Sequence, residues 1–395
     1  MLPCLGYSGD HLSKPPATPG KYNVSKSYLW MVGPGVLQEL LARHKPKDSF
    51  YVYDLNLLDR AYNEWKTIFP TVTPYYAVKC NPDPEVVRRL ANLGACFDCA
   101  TPAEIKLVRQ LGVDTNRIIY ANPCKRPEDI SANLPTTFDS VCELQKIALA
   151  IKGGADVILR IRADDPDARC ALGNKYGAEE EDWADLLTMC SRLSLNLIGI
   201  SFHVGSMAKN ASAFVDAIRK AKKAVGMAEH YGFYPRIIDI GGGFSSNNIF
   251  DLGPVPSMIN QALNDNFTSE FKIIAEPGRY FVEHIATLIT PVIGVKKAGV
   301  TISDSLYGSF NCIIFDHASP EFYVLDCDNS ELVHKTMFGS TCDGGDIIYT
   351  DCMVPGDIAV GHWVVWPRMG AYTSAATTRF NGIPFDNREK IYLGL

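Results

Sequence analysis

Several side chains capable of chemistry stand in or directly after short apolar runs of the sequence. Lys79 and His203 follow two such runs, and Asp98, Arg160 and Glu276 lie in or at the end of three others. A lone lysine after an apolar strand is usually a surface side chain. Here carboxylates, an arginine and a histidine are also expected at neighbouring strand ends, and this combination favours an active site.

A run of three glycines, Gly241 to Gly243, follows another apolar segment, and Arg279 comes shortly after Glu276. Glycines allow the backbone to approach a ligand and to present its N–H groups to an anion, although a tight turn alone would also use them. The guanidinium fork of an arginine suits phosphate oxygens. A phosphate pocket beside a lysine able to form a Schiff base, a carboxylate and a histidine indicates pyridoxal 5'-phosphate.

The spacing of the apolar runs predicts the elements that position these side chains. Eight runs alternate with helical stretches within about 200 residues, which favours a (β/α)8 TIM-like barrel whose active site lies at the carboxyl ends of its strands. An earlier run at 49–54 leaves the start of the barrel open. The eight runs lie at 74–79, 96–100, 117–122, 136–141, 156–162, 197–204, 237–242 and 272–277.

Helix boundaries are marked between these runs. Asp83-Pro84 is typical of an N-cap followed by proline at the first helical position, and Gly94 stands where a C-terminal glycine is expected. Thr101 and Glu104 predict a capping box at the start of the next helix.

After about residue 283 the pattern changes to strands without long helices. The sequence therefore predicts an α/β protein: a lead-in at 1–45 that packs on the β domain, a pyridoxal-phosphate-binding barrel at 46–283 and an antiparallel β domain at 284–395.

Composition excludes several classes of protein. With 38 Lys and Arg against 44 Asp and Glu and no basic block, nucleic acid is not the expected partner. The apolar runs are too short to cross a membrane, and the N-terminus lacks a signal peptide pattern, so we expect a soluble, cytoplasmic protein. The twelve cysteines then fit a reducing compartment. Cys96 and Cys99 have no second ligand pair, and no metal is expected.

A series of motifs resembles eukaryotic-type ornithine decarboxylase, in the alanine-racemase-like fold of the ornithine, lysine, arginine and diaminopimelate decarboxylases. The motifs run in the expected order from about residue 50 to 382 and read PYYAVKCNPD, FDCATPAEI, SFHVGS, DIGGGF, EPGRYFV, YGSFNCIIFDHA, TCDGGD and MGAYTSAA. The resemblance implies decarboxylation of L-ornithine to putrescine and CO2, as in polyamine biosynthesis.

The resemblance also implies roles in binding the cofactor. Lys79 would hold it covalently, Glu276 would contact its ring nitrogen and His203 would stack on its ring. Asp98, Arg160, Glu104 and Lys175 lie in matching motifs and would support the site. The phosphate would be bound by Ser206, Gly241, Gly242, Gly243, Arg279 and Tyr372.

Substrate binding is implied for residues of the C-terminal motifs. Asp316 and Asp343 would receive the distal ammonium of a diamino acid, with Tyr307 and Phe380 beside them, and Cys342 would protonate the α-carbon after CO2 leaves. In the family such residues enter from the other subunit, so a head-to-tail homodimer with shared sites is implied.

Two departures from the family pattern bear on substrate choice. Phe315 stands where tyrosine is common, and Arg368 lies just before the last motif. Arg368 either pairs with an acidic group of a substrate or is exposed, and exposure is the favoured interpretation. Decarboxylation of another basic or diamino acid, and a non-catalytic regulatory paralogue, are the alternatives to ornithine decarboxylation.

Overall fold

A computed structural model describes residues 32–130, 134–163, 165–170, 172–208, 210–245, 252–327 and 331–395. Its first elements are helix α1 (Pro34–His44), strand β1 (Phe50–Asp54) and helix α2 (Asn56–Ile68). Leu37 and Leu40 of α1 are buried in one cluster with Val52, Ile289 and Val365, which belong to the second sheet. The described part of the predicted lead-in thus packs on the β domain, while its residues 1–31 lie outside the described ranges.

Eight parallel strands close into a barrel, which confirms the predicted fold class. Each strand pairs with the next in the chain, and the last pairs with the first through Val72 and Ile273. The strand interiors are mostly buried and rich in Ile, Val, Tyr and Phe, as expected for a parallel sheet covered on both faces. The strands are β2 (Val72–Ala77), β3 (Cys96–Cys99), β4 (Ile118–Tyr120), β5 (Thr136–Phe138), β6 (Asp156–Arg160), β7 (Asn196–Ser201), β8 (Ile237–Asp239) and β9 (Lys272–Ala275).

Among the described residues, six helices lie between successive strands of the barrel. In the β4–β5 crossover, the described residues form a 3-10 turn (Pro127–Asp129) in place of a longer helix. The helices are α3 (Pro84–Leu93), α4 (Pro102–Gln110), α5 (Val141–Ala150), α6 (Trp183–Arg192), α7 (Ala211–His230) and α8 (Val255–Asn266).

The helix boundaries follow the expected local chemistry. The Asp83 carboxylate accepts hydrogen bonds from two N–H groups of the first turn of α3, and Gly94 ends that helix with a φ of 100°. Thr101 accepts the N–H of Glu104 at 3.3 Å, as a capping box requires. The Glu104 carboxylate accepts the N–H of Ala100 at 2.6 Å, one residue earlier than the usual capping-box partner.

A second sheet follows the barrel, after the short helix α9 (Arg279–Val282). Its described strands run in the order β12, β15, β10, β11, β13 and β14, and most of their contacts are antiparallel. The β11–β13 pair is parallel. The elements are β10 (Ala286–Val295), β11 (Gly299–Ile302), helix α10 (Asn311–Phe315), β12 (Tyr323–Val324), β13 (Leu332–Phe338), β14 (Ile347–Pro355), β15 (Trp363–Trp366) and β16 (Glu389–Leu393).

Strand β1 is the ninth candidate for the barrel, and it belongs to the second sheet. It runs antiparallel to β10, with Phe50 opposite Ile289, and parallel to β16, with Phe50 opposite Glu389. The barrel therefore begins at β2, and the early part of the range 46–283 supplies a strand to the β domain. Within the described ranges, every helix falls short of the length or hydropathy that a membrane crossing needs.

Candidate active site

A cavity of about 380 Å³ opens at the carboxyl ends of the barrel strands. The closed parallel barrel brings these ends together although the residues are far apart in sequence. The predicted residues that line it are Lys79, Arg160, His203, Ser206, Gly242, Gly243, Glu276, Arg279, Asp316 and Tyr372.

Lys79 projects into this cavity from a 3-10 turn that continues β2. Its Nζ donates a hydrogen bond to Oδ2 of Asp98, a carboxylate on β3 with no exposed surface. Burial lowers the pKa of Lys79, but the Asp98 and Glu276 carboxylates outweigh burial and raise that pKa above its ordinary value. The amine is therefore held as a cation beside the Asp98 carboxylate.

Asp239, at the end of β8, is a site residue that the sequence interpretation missed. Its carboxylate accepts the N–H of Gly241 at 2.9 Å, and its charge raises the pKa of Glu276. Burial raises the pKa of both Asp239 and Glu276. A charged residue inside the apolar run 237–242 is the signal that could have identified it, because an aspartate is almost never fully buried without a partner.

Asp98, Asp239 and Glu276 together form an acidic floor beneath the cavity. Asp98 Oδ1 and Asp239 Oδ2 are buried and have no hydrogen-bond partner among the described residues. Buried oxygens of this kind are costly unless they are paired. The acidic floor is therefore suited to a cation, such as the protonated ring nitrogen of pyridoxal phosphate.

His203 lies on the wall of the cavity as a neutral ring. Its Nδ1 accepts the N–H of Gly205 at 3.0 Å, so the proton of the neutral ring is assigned to Nε2. Burial lowers the pKa of His203 well below its ordinary value, and the charges of Arg160 and Lys79 lower it further. A flat, uncharged face is thereby presented to the cavity.

The glycine turn is shaped by close contacts that a side chain would not allow. Gly241 has a φ of 67°, and an added Cβ would lie 2.2 Å from the carbonyl oxygen of Phe202. At Gly242 an added Cβ would lie 2.8 Å from His203 Nε2. Ser206, Arg279 and Tyr372 line the same cavity, and these groups fit the phosphate of the cofactor.

Asp316 differs from the expectation that it enters from another subunit. It lines the same cavity as Lys79 of its own chain. Arg279 Nη2 donates to its two oxygens at 2.6 and 2.7 Å, and Arg169 Nη1 donates to Oδ2 at 3.1 Å. Asp316 is thus already compensated by two arginines, of which Arg169 was not predicted.

Four other predicted residues form a separate group on the β domain, which we call the surface set: Tyr307, Cys342, Asp343 and Phe380. The Tyr307 ring stacks on Phe380 with centroids 4.2 Å apart, and its hydroxyl donates to Asp343 at 2.7 Å. Hydrogen bonds from Tyr307 and Gly345 lower the pKa of Asp343. None of the four lines the cavity that holds Lys79, and Cys342 is exposed.

The remaining predicted positions lie at the edges of the site. The sequence interpretation favoured an exposed Arg368, but the side chain is only 30% accessible. Its Nη2 donates a hydrogen bond to Glu283 at 2.8 Å. Phe315 lines the cavity with 70% of its surface exposed. Lys175 is exposed, with its amine 5.0 Å from the centre of the Tyr176 ring, and does not line the cavity.

Comparison with known proteins agrees with this geometry. A family model described as "Pyridoxal-dependent decarboxylase, pyridoxal binding domain" matches residues 55–283, which contain the whole barrel. The ornithine decarboxylase of Schizosaccharomyces pombe is 39% identical over 380 residues, with 90% of this chain and 86% of that protein covered. The decarboxylase flvG of Aspergillus flavus is 38% identical over 371 residues, covering 88% and 86%.

Solved structures share the fold. The arginine decarboxylase of Paramecium bursaria Chlorella virus superposes with a TM-score of 0.87 at 38% identity, covering 91% of this chain and all of that one. With the family match, the relatives and the cavity in agreement, the chain belongs to the pyridoxal-dependent amino-acid decarboxylases.

Proposed function

We propose that this enzyme decarboxylates L-ornithine to putrescine and CO2. The observation that carries the proposal is the placement of Lys79, the acidic floor and the glycine turn around one cavity. Relatives named as ornithine decarboxylases from yeasts, plants and mouse support ornithine as the substrate. Putrescine would then be the product that enters polyamine synthesis.

The residues of the cavity have distinct tasks toward pyridoxal phosphate. Lys79 would hold the cofactor through its amine, and Glu276, with Asp239 behind it, would bind the ring nitrogen and favour its protonated form. His203 would pack against the ring. Ser206, the N–H groups of the glycine turn, Arg279 and Tyr372 bind the phosphate. The bound cofactor supplies an electron sink for the carbanion that remains when CO2 departs.

A proton must then reach the α-carbon, and the surface set supplies it. Cys342 of a second copy donates this proton, so the product is an amine. Asp343 of that copy binds the distal ammonium of the substrate, because the Asp316 carboxylate within the cavity already accepts hydrogen bonds from two arginines. The lowered pKa of Asp343 keeps its carboxylate ionised for this contact.

The same reasoning supports a head-to-tail homodimer with shared sites. The surface set, of which Cys342, Asp343 and Phe380 are exposed and Tyr307 is half-buried, lies outside its own cavity, although its side chains are suited to a basic amino acid. Two copies related by a twofold axis would place each surface set over the cavity of its partner. We also propose a cytoplasmic location, supported by the free thiols of the described cysteines; imaging of a fluorescent fusion would test it.

One experiment tests the substrate assignment directly. CO2 release is measured from ornithine, lysine, arginine and diaminopimelate, and kcat/KM is compared among the four. The proposal expects ornithine to exceed the others by at least about tenfold, since side chains of different length place the ammonium away from the carboxylates. A higher kcat/KM for another amino acid would overturn ornithine as the substrate but not the reaction type.

A further inference from the structure

Asp316 and Arg279 form the wall between two cavities. Both line the catalytic cavity, and both also line a smaller one of about 210 Å³ behind it. Arg169 lines only the smaller cavity and reaches Asp316 from that side. The carboxylate of Asp316 is therefore contacted by two arginines, of which only Arg279 also lines the catalytic cavity.

Arg279 has two anionic partners, the Asp316 carboxylate and the phosphate of the cofactor. It is the phosphate-binding arginine of the proposed function, and its Nη2 also donates to both oxygens of Asp316 within 2.7 Å. Both side chains are less than a tenth exposed, so solvent screens their charges only weakly. The Asp316 carboxylate therefore competes electrostatically with a phosphate dianion beside Arg279, although the Nε of Arg279 has no hydrogen-bond partner among the described residues.

Arg169 is placed to relieve this competition. Its Nη1 donates to Asp316 Oδ2 at 3.1 Å and to the backbone oxygen of Asp316 at 3.3 Å. Glu283, a further carboxylate in the smaller cavity, is engaged by Arg368 at 2.8 Å. Through these two contacts Arg169 compensates the charge of Asp316 when Arg279 also binds the phosphate.

We propose that Arg169 is a positioning residue that sets the affinity of the catalytic cavity for the phosphate group of its cofactor. The inference rests on the proposed function, since it takes pyridoxal phosphate as the ligand. It predicts opposite effects for the two partners of one ion pair. In a variant without Arg169, the Asp316 carboxylate weakens the contact between Arg279 and the phosphate. In a variant without the Asp316 charge, Arg279 binds the phosphate more tightly.

The test titrates cofactor-free protein with pyridoxal phosphate and follows the absorbance of the bound cofactor. We expect Arg169→Met to raise the dissociation constant about tenfold and Asp316→Asn to lower it by a similar factor. Arg169→Lys retains the charge and should stay within about threefold of wild type. Pyridoxal, which lacks the phosphate, should bind all variants with affinities equal to that of wild type.

Arg219→Met is the control, because Arg219 lies on the exposed face of α7 in an ion pair with Asp216. Melting temperatures are measured for every variant, and only folded proteins are compared. Weaker binding of pyridoxal phosphate by Asp316→Asn, or equal losses for pyridoxal and pyridoxal phosphate in Arg169→Met, would overturn the inference alone. A wild-type protein that binds neither ligand would overturn the proposed function as well.

Discussion

The amine of Lys79 is hydrogen-bonded to the fully buried carboxylate of Asp98, and these two residues stand at the ends of neighbouring barrel strands. The contact fixes the direction of a long, flexible side chain toward the cavity. It also keeps a cation next to a buried carboxylate that would otherwise be costly.

Removing this amine should abolish catalysis. Lys79→Ala is expected to lower CO2 release from ornithine by at least about 10³-fold and to eliminate the absorbance band of covalently held cofactor, because Lys79 is the only lysine among the described residues that line the cavity. Lys223→Ala, on the exposed surface of α7, should leave both unchanged. Substantial CO2 release by Lys79→Ala would contradict the assignment of Lys79.

Sharing of the site between two copies predicts complementation. Lys79→Ala and Cys342→Ala each inactivate a site, yet half of the randomly mixed dimers combine the two, with one intact site of two. Mixing equal amounts of the two variants should therefore restore putrescine formation to about a quarter of the wild-type rate. If cavity and thiol acted within one chain, the mixture would show no gain over the separate variants.

The glycine turn should tolerate no methyl group at its centre. Gly242→Ala would place a Cβ 2.8 Å from His203 Nε2 and 2.9 Å from the Glu276 carbonyl oxygen, so we expect cofactor affinity to fall about tenfold or more as the histidine ring is displaced. The dissociation constant of pyridoxal phosphate is the measurement. Unchanged affinity would show that the close approach at Gly242 does not shape the site.

A second glycine provides the matched control. Gly226 lies on the exposed side of α7, and an added Cβ there meets no atom within 4 Å. Gly226→Ala should raise the unfolding free energy by about 0.5–1 kcal/mol through helix propensity, with no change in cofactor affinity.

The acidic floor predicts that the cofactor-free protein loses stability as the pH rises from about 4 to about 7. Burial raises the pKa of Asp239 from 3.8 to about 7 and raises that of Glu276 in the same direction. In this range the folded state holds protons that the unfolded state has released, so the contribution of these groups to stability falls with increasing pH.

Asp239→Asn tests this assignment. The variant removes one of the buried titrating groups, so its melting temperature should decline less between about pH 4.5 and about pH 7 than that of wild type. Asp216→Asn, at an exposed position of α7, should follow the wild-type curve. Parallel curves for Asp239→Asn and wild type would remove Asp239 as a source of the pH dependence.

The barrel was predictable from the sequence because each strand is a buried apolar run between clear helix boundaries. Asp83 and Gly94 mark such boundaries through local chemistry alone. Local patterns also placed Lys79 and Glu276 at strand ends, where barrel geometry brings them together. The two side chains lie close together because their strands end at the same edge of the barrel, and the strand positions follow from local sequence patterns.

Contacts between distant segments could not be predicted in this way. The pairs Arg169–Asp316 and Arg368–Glu283 join residues widely separated in sequence, and no spacing or periodicity indicates them. The prediction that Arg368 is exposed was wrong for this reason. The residues next to Arg368 in the sequence do not indicate that the Glu283 carboxylate lies beside it.

Strand β1 has a consequence for how the chain is assembled. It precedes the barrel in the chain, yet both of its neighbours follow the barrel, and β16 is the last of the described strands. One edge of β1 therefore stays unpaired until β10 has been synthesised, and the other edge until β16 has been synthesised. A chain that lacks β16 would leave one edge of this buried apolar strand unpaired and available to other chains, which favours aggregation.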